Sequence, residues 1–473
     1  MVLGNEWVDN NGDLKMGASA MDSVKQSELV YELEDKPPFF ESLLAAIQHL
    51  LASFVAIITP TLVIGGILGL ETEIPYLISM ALIASGLGTF IQAYQPLGIG
   101  AGMLCVQGTS FTFLGAILSA GFLAKNAGGG PNEIMALIVT ICFFGSFVQI
   151  GLSQILPRLK RVITPLVTGI VITTIGISLI KIGMTDLAGG LSAENFGNTD
   201  NLILGLFVIV VIIAMNNIRN DWIRLSSIVI GLIAGILAAL LMNKLSISDF
   251  TMSSAIAVPM PLKYGFDFEL LLFIPLAFLF VISSVETTGD ITANCIISRQ
   301  PVEGPSYIKR IKGGVLGDGV SSMIAAILNS FPNTTFSQNT GVIQLTGIAS
   351  RHVGIYVAGI LIFLGLFQGL GEIFQQIPRP VLGGAVLVMF GTVAAAGIKI
   401  LTRLDLDRRQ MMIIAVSLGL GLGVNMVPDV LSQTPELMQN IFNSAPATAG
   451  LTAMTLSFLL PEKTPSTIRS DMD

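Results

Sequence analysis

A polar run sits inside the apolar second half of the chain: Asn333-Thr-Thr-Phe-Ser-Gln-Asn-Thr-Gly-Val-Ile-Gln-Leu-Thr-Gly347, preceded by Pro332. Backbone in lipid must satisfy its own N–H and C=O groups. A stretch containing Asn339, Gly341 and Gly347 therefore fits at membrane depth only where protein or a cavity surrounds it. The residues predict a short extended piece ending near Gln338, then a half-helix beginning between Asn339 and Gly341. Its free N–H groups and positive dipole end face a polar ligand, which makes a substrate site the first functional reading.

The surroundings justify reading the run against a membrane. Of 473 residues, 52% are hydrophobic and 12% charged, and mean hydropathy is +0.78. This is an all-α polytopic membrane protein whose solvent is the lipid bilayer. Cys105, Cys142 and Cys295 fall in or beside apolar segments and read as small packing residues rather than a disulfide framework. The formal charge of -7 comes largely from ends and loops. No basic, aromatic-interleaved surface suggests nucleic acid. Two histidines and scattered carboxylates make no metal set. Neither a Walker-type phosphate loop nor a GxSxG nucleophile elbow is present, so ATP-driven pumping and enzyme function lack support and no cofactor is expected. The first 37 residues lack the basic and apolar regions of a cleaved signal and read as a cytoplasmic tail.

Runs of roughly 20 apolar residues predict spans near 43–70, 74–94, 98–122, 133–156, 162–185, 201–218 and 223–243. A second set follows near 270–296, 312–331, 333–349, 353–375, 378–400, 409–426 and 446–461. That makes fourteen segments, seven and seven. Alternate loops hold Arg158, Lys160 and Arg161; Arg219 and Arg224; Arg299, Lys309, Arg310 and Lys312; Arg351; and Lys399, Arg403, Arg408 and Arg409. The opposite loops and nearby span ends hold only Lys125, Lys181, Lys244, Lys263 and Arg379. By the positive-inside rule both termini are cytoplasmic.

The two sets echo each other. Pro165-Leu-Val-Thr-Gly-Ile-Val171 in segment five resembles Pro380-Val-Leu-Gly-Gly-Ala-Val386 in segment twelve, matching Gly169 with Gly384 and Gly176 with Gly391. Gln107-Gly-Thr-Ser-Phe111 in segment three has its counterpart in Gln338-Asn-Thr-Gly341 in segment ten. Seven is odd, so paired segments run in opposite directions. An inverted repeat with segments three and ten broken by short extended pieces places a binding site near the midplane.

Glu286 and Asp290 stand four residues apart in segment eight and share a helical face. Charge at mid-membrane costs about 2.5–3.5 kcal/mol or more, so both should face a cavity or a partner. An ionised Glu286 accepts N–H donors from a flat heterocycle, and protonation removes that capacity, linking substrate to proton. Asp290 has either a functional role or one in binding backbone or neighbouring polar groups. His49 either packs or hydrogen-bonds a segment-eight carboxylate. Asp318 either joins the proton network or caps a helix break. Gln338 and Gln107 each offer an amide for a C=O/N–H edge or for capping. Phe111 either stacks on an aromatic ligand or packs in the core.

At these positions the chain resembles the nucleobase-ascorbate transporter family, most closely its bacterial xanthine permease branch. The family signature, Gln/Glu/Pro-Asn-x-Gly-x4-Thr-Arg/Lys/Gly, is met by Gln338, Asn339, Gly341, Thr346 and Gly347. Gln48-His49, Gln107 with Phe111, Glu286, Asp290 and Asp318 add to the likeness, which runs from about Ser27 to the last span. The resemblance implies tails over 1–40 and 463–473, and a core domain of segments 1–4 and 8–11 (41–156 and 265–375). This core moves against a gate domain of segments 5–7 and 12–14 (157–245 and 376–462). It also implies proton symport, a homodimer formed through gate domains and a place in the bacterial inner membrane. In such relatives the counterparts of Glu286 and Gln338 hold the base, while those of His49, Asp318 and Asn339 support affinity or coupling.

The expectation is thus a proton-coupled importer of a purine nucleobase, xanthine first, held between segments three, eight and ten. Glu286 and Gln338 bind its polar edge, N–H groups near Ser110 and Asn339 its carbonyls, and Phe111 its ring face. Gln107 belongs to the same substrate set, with His49, Asp290 and Asp318 in coupling and support. Thr340 stands where many xanthine permeases have a second Asn, and Ser110 at a site that is Asn in some relatives, which leaves guanine, hypoxanthine and urate open. The alternatives are a uracil or urate permease of the same fold and a membrane nucleobase sensor that moves nothing.

Overall fold

The computed structural model describes residues 29–155, 164–190, 193–245, 256–402, 404, 406–442 and 444–460. Of the charges counted above, Arg158, Lys160, Arg161 and Arg403 lie outside the described residues, as do residues 1–28 of the expected N-terminal tail and the tail 463–473.

The first half begins with α1 (Phe39–Leu68) and α2 (Ile74–Tyr94), followed by strand β1 (Gln107–Thr109), one 3-10 turn (Phe111–Phe113) and the short α3 (Leu114–Asn126). Then come α4 (Pro131–Ile155), α5 (Pro165–Leu187), α6 (Thr199–Asn216), α7 (Asp221–Leu225) and α8 (Ser227–Leu241). The second half has α9 (Leu270–Ile297), α10 (Gly304–Ile327), strand β2 (Asn333–Thr335), α11 (Ser337–Thr346), α12 (Arg351–Gly365) and α13 (Gln368–Gln375). It ends with α14 (Arg379–Leu401), α15 (Arg408–Met426), α16 (Glu436–Phe442) and α17 (Ala445–Leu459). Eight of these helices, α1, α2, α4, α5, α6, α9, α14 and α15, are long and apolar enough to cross a membrane.

Several boundaries differ from the sequence reading. The half-helix after β2 starts at Ser337, so Gln338 lies in its first turn rather than at the end of the extended piece. The reason is that Phe336, not Gln338, is the last residue held extended, its N–H donating to the Val106 carbonyl at 2.9 Å. Helix α10 starts eight residues before the predicted 312, at Gly304 with Pro305 in its first turn, because that end is too charged for a hydropathy window to include. Segment eleven is broken into α12 and α13, where Phe367 bridges Ile256 and the Leu366 carbonyl takes the Ala257 N–H at 2.8 Å.

The helices pack as two groups. In one, α2 contacts α1, α10, α12 and α13, while α4 lies against α3, α9 and α10. In the other, α5 and α14 form the most extensive pair, flanked by α6, α8, α15 and α17. Helices α5 and α14 run antiparallel, with Gly169 against Leu401 and Gly183 against Leu387. Small residues permit this approach. A Cβ on Gly176 would sit 2.6 Å from the Ala394 Cα, so Gly176→Val forces the helices apart. The expected cost is about 1–3 kcal/mol, read as a lower unfolding temperature in detergent; a variant as stable as its parent contradicts this packing. Gly391, matched to Gly176 in the sequence, has open space around its Cβ direction and makes no comparable contact. Exposed Ile203, Leu206, Val210 and Ile213 on α6 give that helix an apolar outer face suited to lipid.

Candidate functional site

The two breaks meet. Strands β1 and β2 pair antiparallel with Gln107 opposite Thr335, Gly108 opposite Thr334 and Thr109 opposite Asn333. Beyond the ladder, the Ser110 N–H donates to the Pro332 carbonyl at 2.8 Å. Extended backbone is thereby satisfied by protein, the condition for irregular chain at membrane depth. Gly108 is required by the crossing, since a Cβ there would run into the Phe336 ring and come within 2.9 Å of Ile57. Helix α11 points its first turn at the junction, where the N–H groups of Ser337 and Gln338 have no intrahelical acceptor.

Helix α9 brings the two carboxylates of its shared face to the two breaks, one each. Thr112 Oγ1, just past β1, donates to Glu286 Oε2 at 2.8 Å. Thr335 Oγ1, in β2, donates to Asp290 Oδ2 at 3.1 Å. A third carboxylate, Asp318 of α10, is fully buried. Its Oδ1 accepts from Gln107 Nε2 at 2.7 Å. Its Oδ2 accepts from Gln149 Nε2 at 3.2 Å and from Thr287 Oγ1 at 2.5 Å. One side chain thus ties β1, α4, α9 and α10 together. Of the two readings of Asp318, the observed bonds bear on the second: it holds the broken segment through Gln107, and its bond to α9 is to Thr287 rather than to Glu286 or Asp290.

The remaining predicted residues separate by what they touch. Gln107 is fully buried and its N–H2 is committed to Asp318, while its Oε1 has no partner among the described residues. His49 does not reach a segment-eight carboxylate as its alternative role required. Its Nδ1 lies 3.0 Å from Asn339 Nδ2, which also donates to the His49 carbonyl at 3.2 Å. The physical reason is that α1 packs directly against α11 and buries the imidazole there completely. Ser110 Oγ accepts the Thr112 N–H at 3.3 Å and caps the 3-10 turn, so with its own N–H engaged it is occupied in the break itself. Gln338 is half-buried, with no protein partner for its amide among the described residues. Phe111 meets Phe390 of α14 edge-on at 5.4 Å between centroids. With Thr112 it also lines a cavity of about 130 Å3, walled on the far side by Ser178, Lys181 and Asn425. That cavity reaches Thr112 but is not lined by Glu286 or Gln338.

Sequence reasoning missed Thr112, Thr335, Thr287 and Gln149, which with Gln107 donate to the carboxylates. The available signal was polarity beside a break or inside a span, but their partners are 174, 45, 31 and 169 residues away.

The fold and site define a multi-pass membrane transporter built around a pair of discontinuous helices. The transmembrane domain of a cyanobacterial bicarbonate transporter, BicA, superposes with a TM-score of 0.55 at 15% identity, covering 88% of this chain and 100% of that one. SLC26A9 gives 0.60 at 12% identity over 89% of this chain and 66% of that one. These likenesses concern the fold alone. Residues 40–430 match the model of the Xan_ur_permease family, described as "Permease family". The chain is 45% identical over 451 residues to xanthine permease XanP of Escherichia coli strain K12, covering 94% of this chain and 97% of that protein. It is 44% identical over 439 residues to xanthine permease XanQ of the same strain, covering 92% and 94%. The putative purine permease CPE0397 of Clostridium perfringens is 36% identical over 446 residues, covering 93% and 95%. The chain belongs to this permease family, the nucleobase-ascorbate transporters.

Proposed function

We propose that this permease imports a purine nucleobase, xanthine first, together with protons. The observation that carries the reading is the junction of β1, β2 and α9, where Glu286 accepts from Thr112 just past β1 and Asp290 from Thr335 at the end of β2, two residues before α11 begins. The xanthine permeases among its relatives supply the substrate class. An uncharged planar base offers alternating C=O and N–H groups. Ionised Glu286 accepts N–H, the Gln338 amide matches an adjacent edge, and the N–H groups of Ser337 and Gln338 donate to a carbonyl. Phe111 supplies an apolar ring face. A proton on Glu286 changes it from acceptor to donor, so occupancy by base and by proton are linked. Asp290, Asp318, His49 and Asn339 hold the two breaks in register with that carboxylate.

The wider frame is a fourteen-span protein in the bacterial inner membrane with both termini cytoplasmic. Antiparallel pairing of β1 with β2 and of α5 with α14 supports a seven-plus-seven inverted repeat. The first packing group serves as the core and the second as the gate, and alternating access is motion of one past the other. The gate group also mediates a homodimer.

Uptake of radiolabelled xanthine competed by xanthine, guanine, hypoxanthine, urate and uracil tests the substrate. Xanthine should compete best; dominance by uracil would replace the purine reading, and saturable binding without accumulation would make the protein a sensor. Thr112→Val removes the donor that orients Glu286. It should raise the KM for xanthine about tenfold, with the protein still present in the membrane at parental levels. An unchanged KM would remove Thr112 from the site.

A further inference from the structure

Away from the carboxylates, a cavity of about 270 Å3 opens between the two packing groups. Leu62, Ile67 and Leu382 give it apolar walls, and Glu71 and Asp186 add carboxylates. Arg379 is the cation on its lining. From the first turn of α14, Arg379 Nη2 donates to the Gly66 carbonyl of α1 at 3.4 Å. Its Nη1 lies 4.0 Å from Asp186 Oδ1 near the end of α5. Helices α5 and α14 belong to one packing group and α1 to the other, so this guanidinium spans the boundary.

Two glycines make room for it. A Cβ on Gly66 would come 3.3 Å from Nη2, and a Cβ on Gly190, where φ is +94°, would come 2.8 Å from Cδ and Nη1. The contacts themselves are long, and the Arg379 side chain is 44% exposed. Such contacts are individually weak, which suits a closure that must break and re-form in every cycle.

We propose that Arg379 is a positioning residue for transport, a latch that ties α14 to the Gly66 carbonyl of α1 and seals this cavity until substrate movement requires it to open. The inference rests on the transport reading, but it concerns a place apart from the carboxylate site. Holding the latch shut or losing it alters how often the cavity opens, not how the base is bound.

The test uses the full chain carrying Leu382→Cys as a reporter on the cavity wall, since Cys105, Cys142 and Cys295 are buried. Membrane-impermeant maleimide is applied to right-side-out and inverted vesicles. Arg379→Gln should raise the labelling rate of the reporter about fivefold from one side only. It should also lower the maximal xanthine uptake rate while leaving equilibrium xanthine binding within about twofold. Arg379→Lys, which keeps a donor for the Gly66 carbonyl, should restore part of both. Unchanged labelling and unchanged maximal rate overturn the latch. If Arg379→Gln fails to reach the membrane, Gly66→Ala, which keeps the charge and crowds Nη2, must give the same increase or the latch is overturned. Increased labelling in a protein that moves no nucleobase at all supports the latch and defeats the transport reading.

Discussion

Glu286→Gln should lower xanthine uptake about 100-fold and abolish its dependence on the proton gradient. The substitution keeps the size of the side chain and still offers an oxygen to Thr112, whose Oγ1 lies 2.8 Å from Glu286 Oε2 in the parent. On the proposed reading it removes the charged acceptor for a ring N–H and one of the carboxylates at the junction able to exchange acceptor for donor by taking up a proton. Hydrogen bonds to charged groups contribute about 1.5–3 kcal/mol, and each 1.4 kcal/mol is about tenfold in affinity. Binding alone therefore accounts for most of the expected loss. Initial uptake rates at several external pH values, with surface expression measured in parallel, read both parts. A variant that transports normally and keeps its proton dependence removes Glu286 from the mechanism.

The second large effect is structural. Asp318→Ala should destabilise the protein by about 3 kcal/mol or more, because Gln107 and Gln149 lose their acceptor, and Thr287 keeps only the Ser283 carbonyl, in a site with no solvent exposure. Left unpaired, Gln107 no longer anchors β1 against α10, and the junction loses its register. Thermal unfolding in detergent should fall by about 3 °C or more, with uptake lost at temperatures where the parent is active. Asp318→Asn should be milder, since it keeps one acceptor oxygen. If Asp318→Ala unfolds at the parental temperature, the buried network is not holding the breaks together.

Much of this arrangement was legible in the sequence because lipid imposes a strict rule on backbone. Pro332 before one polar run and Asn339, Gly341 and Gly347 within it could mark only a protected break, and the similar polar run Gln107-Gly-Thr-Ser-Phe111 pointed to the break that meets it. The i, i+4 spacing of Glu286 and Asp290 correctly placed them on one face, and that face meets both breaks. What local pattern could not give was partnership across the fold. His49 turns to Asn339 rather than to α9 because of how α1 packs on α11. The Gln107 amide is committed to Asp318, 211 residues away, a bond no periodicity encodes. The break between α12 and α13 depends on a contact with Ile256 and likewise lay beyond a hydropathy window.

Purified protein in sealed vesicles, preloaded with buffer and given an inwardly directed proton gradient, measures coupled transport with nothing else present. The account predicts that xanthine accumulates inside above its external concentration and leaks back when a protonophore is added. Equilibration that never exceeds the external concentration, or a gradient with no effect on the rate, would contradict it.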